Sequence, residues 1–223
     1  MLESLEAIDV KLFIFLNGIH SGFFDKVMWF ASGIPEWIPM YLLILGWIIY
    51  RFRWKSILVI VALVLLITLS DQISVQIKLA VDRLRPCKDP DIRPIVHIVN
   101  GYCSGRFGFV SSHAANSFAM AVFTSLLLKN RYYSTFILVW ASVVSYSRIY
   151  LGVHYPGDVL CGAILGALLG YGVFRLYGFV MKKIYISKQQ GTSGRLRQGE
   201  KIYNNKEQGT SGRLRQGGQV TGV

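Results

Sequence analysis

Charge is what this sequence has least of. Only 16% of its 223 residues are charged, against about a quarter in a soluble domain. That scarcity excludes an ordinary water-facing exterior, and the 52% hydrophobic content fits a chain whose outside meets lipid. Acidic charge is scarcer still: 12 Asp and Glu stand against 24 Lys and Arg, a net charge of +12. A basic balance can mark a nucleic-acid partner. Here, however, nine Lys and Arg lie from Lys182 onward against Glu200 and Glu207 alone. A basic tail after an apolar segment reads as an anionic-lipid contact or a topology signal, so no nucleic acid is expected. A secretory signal peptide is not expected either. Glu3, Glu6 and Asp9 occupy positions where a signal would be basic, and no small-residue cleavage site follows, so the first hydrophobic helices are expected to target the chain and stay.

The apolar residues come in runs. Residues 37–50, 56–77, 108–128, 134–151 and 159–181 all read as membrane spans, which need roughly 20 mostly apolar residues, although the first is short. Residues 12–34 are apolar but interrupted by Asn17, Gly18, His20, Asp25 and Lys26. They are read as a sixth span, with an interfacial helix followed by a short one as the alternative. The expected fold is an all-α integral membrane bundle of about six transmembrane helices. Residues 1–183 form that domain, and residues 184–223 form a basic cytoplasmic tail. In the tail the segment QGTSGRLRQG at 190–199 recurs at 208–217. Its composition predicts irregular, disordered chain.

Orientation follows from the basic clusters. Arg51, Arg53 and Lys55, then Lys129 and Arg131, then the residues from Lys182 onward fall on one side of the bundle. The positive-inside rule makes that side cytoplasmic. Residues 78–107 and 150–158 then lie on the other side. The 78–107 loop is itself basic, with Lys78, Arg83, Arg85, Lys88, Arg93 and Arg106, against the rule. Binding phosphate is a reason for it to be so.

Three motifs, none used in the topology argument, fall at that same surface. Lys78 is followed after six residues by Arg85-Pro86; Ser111-Ser112-His113 opens a later span; Ser147-Arg148 is followed by His154 and then Asp158. Ionisable residues at membrane depth are costly and are functional candidates by default. Three cations, two histidines and one carboxylate suit phosphoryl transfer. Lys78, Arg85 and Arg148 can hold phosphoryl oxygens. The backbone N–H groups at Ser112 and His113, at a helix start, and the Ser111 hydroxyl can add donors. One histidine would attack phosphorus, and the other would protonate the leaving oxygen and then activate water. A nucleophilic histidine needs a carboxylate to fix its tautomer, and only His154 has one near in sequence, Asp158. His154 is therefore read as nucleophile, Asp158 as its orienter and His113 as general acid/base.

These motifs resemble the signature of the type 2 phosphatidic acid phosphatase family, lipid phosphatases related to vanadium-dependent haloperoxidases. The family pattern is Lys-x6-Arg-Pro, Pro-Ser-Gly-His and Ser-Arg-x5-His-x3-Asp. The first and third are complete here, and the second departs with Val110 for Pro and Ser112 for Gly. The resemblance covers roughly residues 20–180. It implies a six-helix membrane fold, hydrolysis of a phosphate ester or diphosphate, an outward-facing site in the cytoplasmic membrane of a bacterium, and neither metal nor cofactor. The substrates it implies are undecaprenyl diphosphate and lipid A phosphates first, then phosphatidylglycerol phosphate and phosphatidic acid. Rival readings are a lipid-to-lipid phosphotransferase using the same histidine, a non-enzymatic membrane protein with a degenerate site, and halide oxidation with bound vanadate.

Other residues read more plainly. Arg83 is expected to snorkel to headgroups, Asp82 to pair with a neighbouring arginine, and Ser147 to support Arg148 or the helix backbone. His20 and His97 carry no expected function. Trp37 and Trp54 read as interfacial anchors. Cys87 and Cys103 flank the outer loop, where an oxidising compartment would allow a disulfide. Cys161 reads as a packing residue. Gly162, Gly166 and Gly170 mark one smooth helix face, for close packing or as a dimer seam. The sequence assigns no oligomeric state.

Overall fold

A computed structural model of the chain describes residues 2–216, with side chains described over 4–187. Among the described residues seven α-helices follow one another: α1 (Leu2–Gly18), α2 (Gly22–Ser32), α3 (Ile38–Phe52), α4 (Ser56–Val81), α5 (Ser112–Leu128), α6 (Arg131–Tyr150) and α7 (Pro156–Gln216). No strand occurs among the described residues, only one isolated bridge between Leu84 and Phe107. The chain is thus an all-α bundle. It divides into two compact units, Met1–Tyr177 and Gly178–Val223, and all the site residues lie in the first.

The bundle is apolar outside, and inside it packs small and hydroxyl residues among large apolar ones such as Ile48, Leu66, Phe123 and Ile137. Ile57, Val64 and Leu65 of α4 and Leu160, Ile164 and Leu168 of α7 are exposed, while Ser70, Ser74, Ala115, Ala119, Ala121 and Ala141 are buried. That pattern suits a lipid solvent, in which small inward residues let helices approach closely. By length and composition, the helical stretches Pro35–Val81 and Pro156–Ser187 can cross a membrane. The first contains a reversal. Arg53 takes a left-handed φ of 51°, and Ile44 with Ile67 and Ile48 with Leu63 line one cavity, so α3 and α4 form an antiparallel pair. Local caps start the other helices: the Asn130 side chain accepts from Tyr133 N at 3.0 Å and Ser111 Oγ from Ala114 N at 3.5 Å. Helices α3 to α7 run alternately up and down.

Residues 12–34 do not form one straight span; they belong to a bent helix pair, the form of a broken span or a re-entrant segment. Helices α1 and α2 meet at a bend of 116°, with Ser21 capping α2. Both pack against α6. Asn17 Nδ2 donates to the carbonyls of Ile149 and Tyr150 at 3.2 and 2.8 Å, and Gly157 N donates to Asp9 at 2.7 Å. Asp25 accepts from the Tyr150 hydroxyl at 2.7 Å. These polar side chains find their partners at the bundle end, which fixes the bend there. His97 belongs to the same support: it bonds Asp25 at 2.9 Å and stacks on His20 at 3.7 Å. At the other terminus the α7 backbone is helical to Gln216, through the segment whose composition predicts irregular chain. The second copy of the tail repeat extends past the described residues.

The connection from α4 to α5 is built of three short 3-10 turns and carries a disulfide between Cys87 and Cys103. Cys87 N donates to Gly152 O at 3.1 Å. Gly152 itself has φ 75°, and a Cβ there would lie 2.7 Å from the His97 carbonyl, so both backbone and space call for glycine. Trp37 is half-buried, its ring 5.7 Å from that of Trp140. Asp82 caps α4 in a left-handed conformation and makes no ion pair among the described residues. Cys161 is exposed on α7, not packed as expected, because the buried face of that helix is its glycine face.

Gly162, Gly166 and Gly170 press α7 against α5, and a Cβ at Gly166 would lie 2.1 Å from the Ala115 carbonyl. The stripe is therefore an internal seam. Gly166→Ala should lower stability by about 1–3 kcal/mol, the cost of forcing volume into a packed contact. Gly172, with nothing within 4 Å, is the control. Equal unfolding midpoints in detergent for the two alanine variants would contradict the seam.

Candidate active site

His154 lies in the turn between α6 and α7, with its backbone N–H on the Arg148 carbonyl at 3.3 Å. Its ring is 2% exposed. Nε2 lies 2.7 Å from Arg85 Nη1. A guanidinium has only donors, so Nε2 must be the acceptor and the ring proton sits on Nδ1. That nitrogen faces Asp158 Oδ2 at 3.4 Å. Burial first, then the charges of Arg85, Arg148 and Lys78, hold the imidazole well below its ordinary pKa. At neutral pH His154 is uncharged, with a lone pair directed at a cation.

Asp158, in the first turn of α7, is fully buried. Its Oδ2 also accepts from Tyr155 N at 3.0 Å, and Oδ1 accepts from Arg83 Nη1 at 2.9 Å. Its own carbonyl accepts from Ser111 N at 2.9 Å, which ties α7 to the start of α5. Arg83 does not snorkel. It bridges Asp158 and Asp9, the latter at 2.8 Å, and lies 4.1 Å over the Tyr155 ring. Its burial of charge is met by two carboxylates, whereas headgroups would offer a weaker, wetter pairing.

The three expected cations converge from three elements. Arg85 is 6% and Arg148 3% exposed. Arg85 Nη1 also donates to Val153 O at 3.0 Å. Arg148 Nη1 donates to Ser32 Oγ, and its guanidinium lies 5.6 Å over the Tyr102 ring. Each keeps a buried Nε–H without a partner, an arrangement that costs stability unless an anion accepts from it. Burial, and after it the charge of Arg148, lower the pKa of Arg85. Crowded cations of this kind favour an anion between them. Lys78 Nζ donates to Ser112 Oγ at 2.5 Å, so the end of α4 is held to the start of α5. The Ser111 hydroxyl caps α5, and Ser147 Oγ donates to the Val144 carbonyl at 2.7 Å.

His113, the second residue of α5, lines two adjoining cavities. One, of about 330 Å³, runs among Trp37, Tyr41, Met120 and Trp140. The other, of about 350 Å³, opens past Arg148 and Tyr102 toward Trp29. Chemically, the arrangement offers a neutral nucleophilic nitrogen, a carboxylate behind it, three cations beside it and a second imidazole at a cavity. No group of three or more His, Cys, Asp and Glu suited to a metal occurs among the described residues. Sequence reasoning missed Arg83 as a partner of Asp158, and also Asp9, Ser32 and Tyr102. Asp9 and Ser32 carried no signal, since they lie far from their partners in sequence. For Arg83 the signal was its place in a basic loop, which snorkelling explains equally well.

The PAP2 superfamily pattern matches residues 54–182. A lipid A 4'-phosphatase of Bacteroides thetaiotaomicron is 43% identical over 195 residues, covering 86% of this chain and 85% of that protein. A lipid A 4'-phosphatase of Porphyromonas gingivalis is 34% identical over 178 residues, covering 79% and 75%. Among solved structures, the transmembrane PAP2-type phosphatidylglycerolphosphate phosphatase from Bacillus subtilis shares the fold, with a TM-score of 0.61 at 23% identity, covering 80% of this chain and 87% of that one.

Proposed function

The chain belongs to the PAP2 superfamily and is a membrane lipid phosphatase, and we propose that its substrate is a lipid A phosphate, cleaved through a phosphohistidine on His154. The substrate reading rests on the two lipid A 4'-phosphatases matched over most of their length. The mechanism rests on one observation: a buried, uncharged imidazole with Nε2 on Arg85 at 2.7 Å and Nδ1 toward a buried carboxylate.

In the first step His154 Nε2 attacks phosphorus and the bond from phosphorus to the sugar oxygen breaks. His113, protonated once the bound phosphate dianion offsets the cations around it, gives its proton to that oxygen, which leaves as a hydroxyl. Lys78, Arg85 and Arg148, with the N–H groups at the start of α5, hold the three phosphoryl oxygens as charge spreads over them. In the second step the now neutral His113 takes a proton from water. The water oxygen attacks phosphorus, the phosphorus–nitrogen bond breaks, and His154 returns with inorganic phosphate released. Asp158 fixes the Nδ1–H tautomer throughout.

The site end faces the exterior, the periplasm of a bacterium with two membranes. Arg51, Arg53, Lys55, Lys129 and Arg131 at the opposite end obey the positive-inside rule, and the Cys87–Cys103 disulfide at the site end suits an oxidising compartment. Residues 184–223 would then be a cytoplasmic tail beside anionic lipid.

The test is phosphate release, with EDTA present, from a lipid A bisphosphate, undecaprenyl diphosphate, phosphatidylglycerol phosphate and phosphatidic acid. The expected result is a kcat/KM for lipid A about tenfold or more above the others, a preference of the size that specific polar contacts supply. Preference for undecaprenyl diphosphate, or phosphate appearing only on an acceptor lipid, would overturn the reading.

A further inference from the structure

The cavity that opens past Arg148 contains a group the phosphoryl chemistry does not use. Its wall includes Trp29, Gly33, Glu36, Tyr102 and His113. Glu36 Oε2 is buried without a hydrogen-bond partner, and Glu36 makes no ion pair among the described residues although Arg148 lines the same cavity. A carboxylate only accepts; Glu36 as a residue is half-buried, and its covered oxygen without a donor is costly. Its carboxylate lies where a side chain at position 33 would go: a Cβ on Gly33 would be 1.8 Å from Oε2 and 2.3 Å from the carboxyl carbon. The backbone of Gly33 is ordinary, φ −72° and ψ 149°, so conformation does not require glycine here. The space that the carboxylate fills does.

We propose that Glu36, with the exposed ring of Trp29, forms a subsite for the sugar ring that carries the phosphate. The inference rests on the lipid A reading above and deepens it. An ionised phosphate and an acyl ester bring no donors to a carboxylate. The hydroxyl and amide groups of a hexosamine do. Trp29 stands edge-on to Tyr102 at 5.6 Å and 85° and is 38% exposed, which leaves indole surface for the apolar face of a pyranose. His113 lines the same cavity, and it is the proton donor to the leaving oxygen. The body of the leaving group therefore belongs beside it, on the side where Glu36 waits.

The probe is a deacylated, phosphate-free glucosamine disaccharide, used to inhibit phosphate release from a sugar-free lipid phosphate by the full chain in detergent. The wild type should be inhibited competitively. Glu36→Gln, which keeps the shape, and Gly33→Ala, which displaces the carboxylate without altering it, should each raise the inhibition constant about 10- to 100-fold, the usual range for a lost hydrogen bond to a charged group. In direct turnover both should lower the ratio of lipid A to sugar-free kcat/KM by a similar factor. No inhibition of the wild type, or equal inhibition constants in all three proteins, would overturn the subsite. Equal loss on both substrates would overturn it too, and would make Glu36 a partner of His113 instead. Inhibition that depends on Glu36 in an enzyme that leaves lipid A untouched would support the sugar site and refute the lipid A reading.

Discussion

His154→Ala should reduce phosphate release from any lipid by about 10⁴-fold or more, the scale on which enzymes lose activity when a covalent nucleophile is removed. The attacking atom, His154 Nε2, stands 2.7 Å from the Arg85 guanidinium. The protein should still fold, since Arg85 keeps its bond to Val153 O and the disulfide is untouched. A labelled lipid phosphate, mixed with wild type and quenched in acid-free denaturant, should leave label on the protein, and the variant should leave none. Near-normal turnover in the variant would refute the assignment. The pH profile adds a second reading. The active form is the neutral imidazole, and burial with three cations lowers its pKa. Activity is lost as pH falls through that lowered value, so the acid limb of kcat/KM lies below the ordinary histidine value of about 6.5. An acid limb at or above that value would mean that the cations do not act on His154 as the geometry implies.

Asp158→Asn should be nearly as damaging, and in two ways at once. The carboxylate serves Arg83, Tyr155 N–H and His154 together, from a fully buried position. An amide of the same shape offers only one acceptor oxygen and adds two donors toward groups that already donate. The tautomer of His154 is then no longer held, and kcat should drop by about 10³- to 10⁴-fold, as for triads that lose their orienting carboxylate. Arg83 keeps Asp9 but loses its buried partner, and breaking a buried pair from one side costs about 3–5 kcal/mol. The thermal midpoint in detergent measures that loss. A variant that is destabilised yet fully active would confine Asp158 to a structural role.

Much of this site was legible from residue order alone. The i, i+4 spacing of His154 and Asp158 across a turn brought that pair together, and the reach is short enough for sequence to govern it. Lys78, Arg85 and Arg148 were identified because charge at membrane depth is expensive and therefore conspicuous. The alternation of basic clusters with apolar runs set the order of α3 to α7. Each of these signals is local, or depends only on which solvent a residue can tolerate.

What escaped sequence reasoning depends on partners distant in the chain. Hydropathy over residues 12–34 sums apolar content but cannot see that Asn17 has carbonyl partners at Ile149 and Tyr150, so it suggested one straight span where α1 and α2 form a pair bent by 116°. Arg83 looked like a snorkelling side chain because Asp9 and Asp158 come to it from 74 and 75 residues away. Ser32 beneath Arg148, and Glu36 in the space left by Gly33, are unremarkable residues by type. The sequence by itself determined the solvent, the helices and the reactive groups, since burial of charge and periodic apolarity are properties of each segment. Only the tertiary structure decided which charges neutralise one another and which stay open to a ligand, since that depends on distances set by the packing of all the helices together.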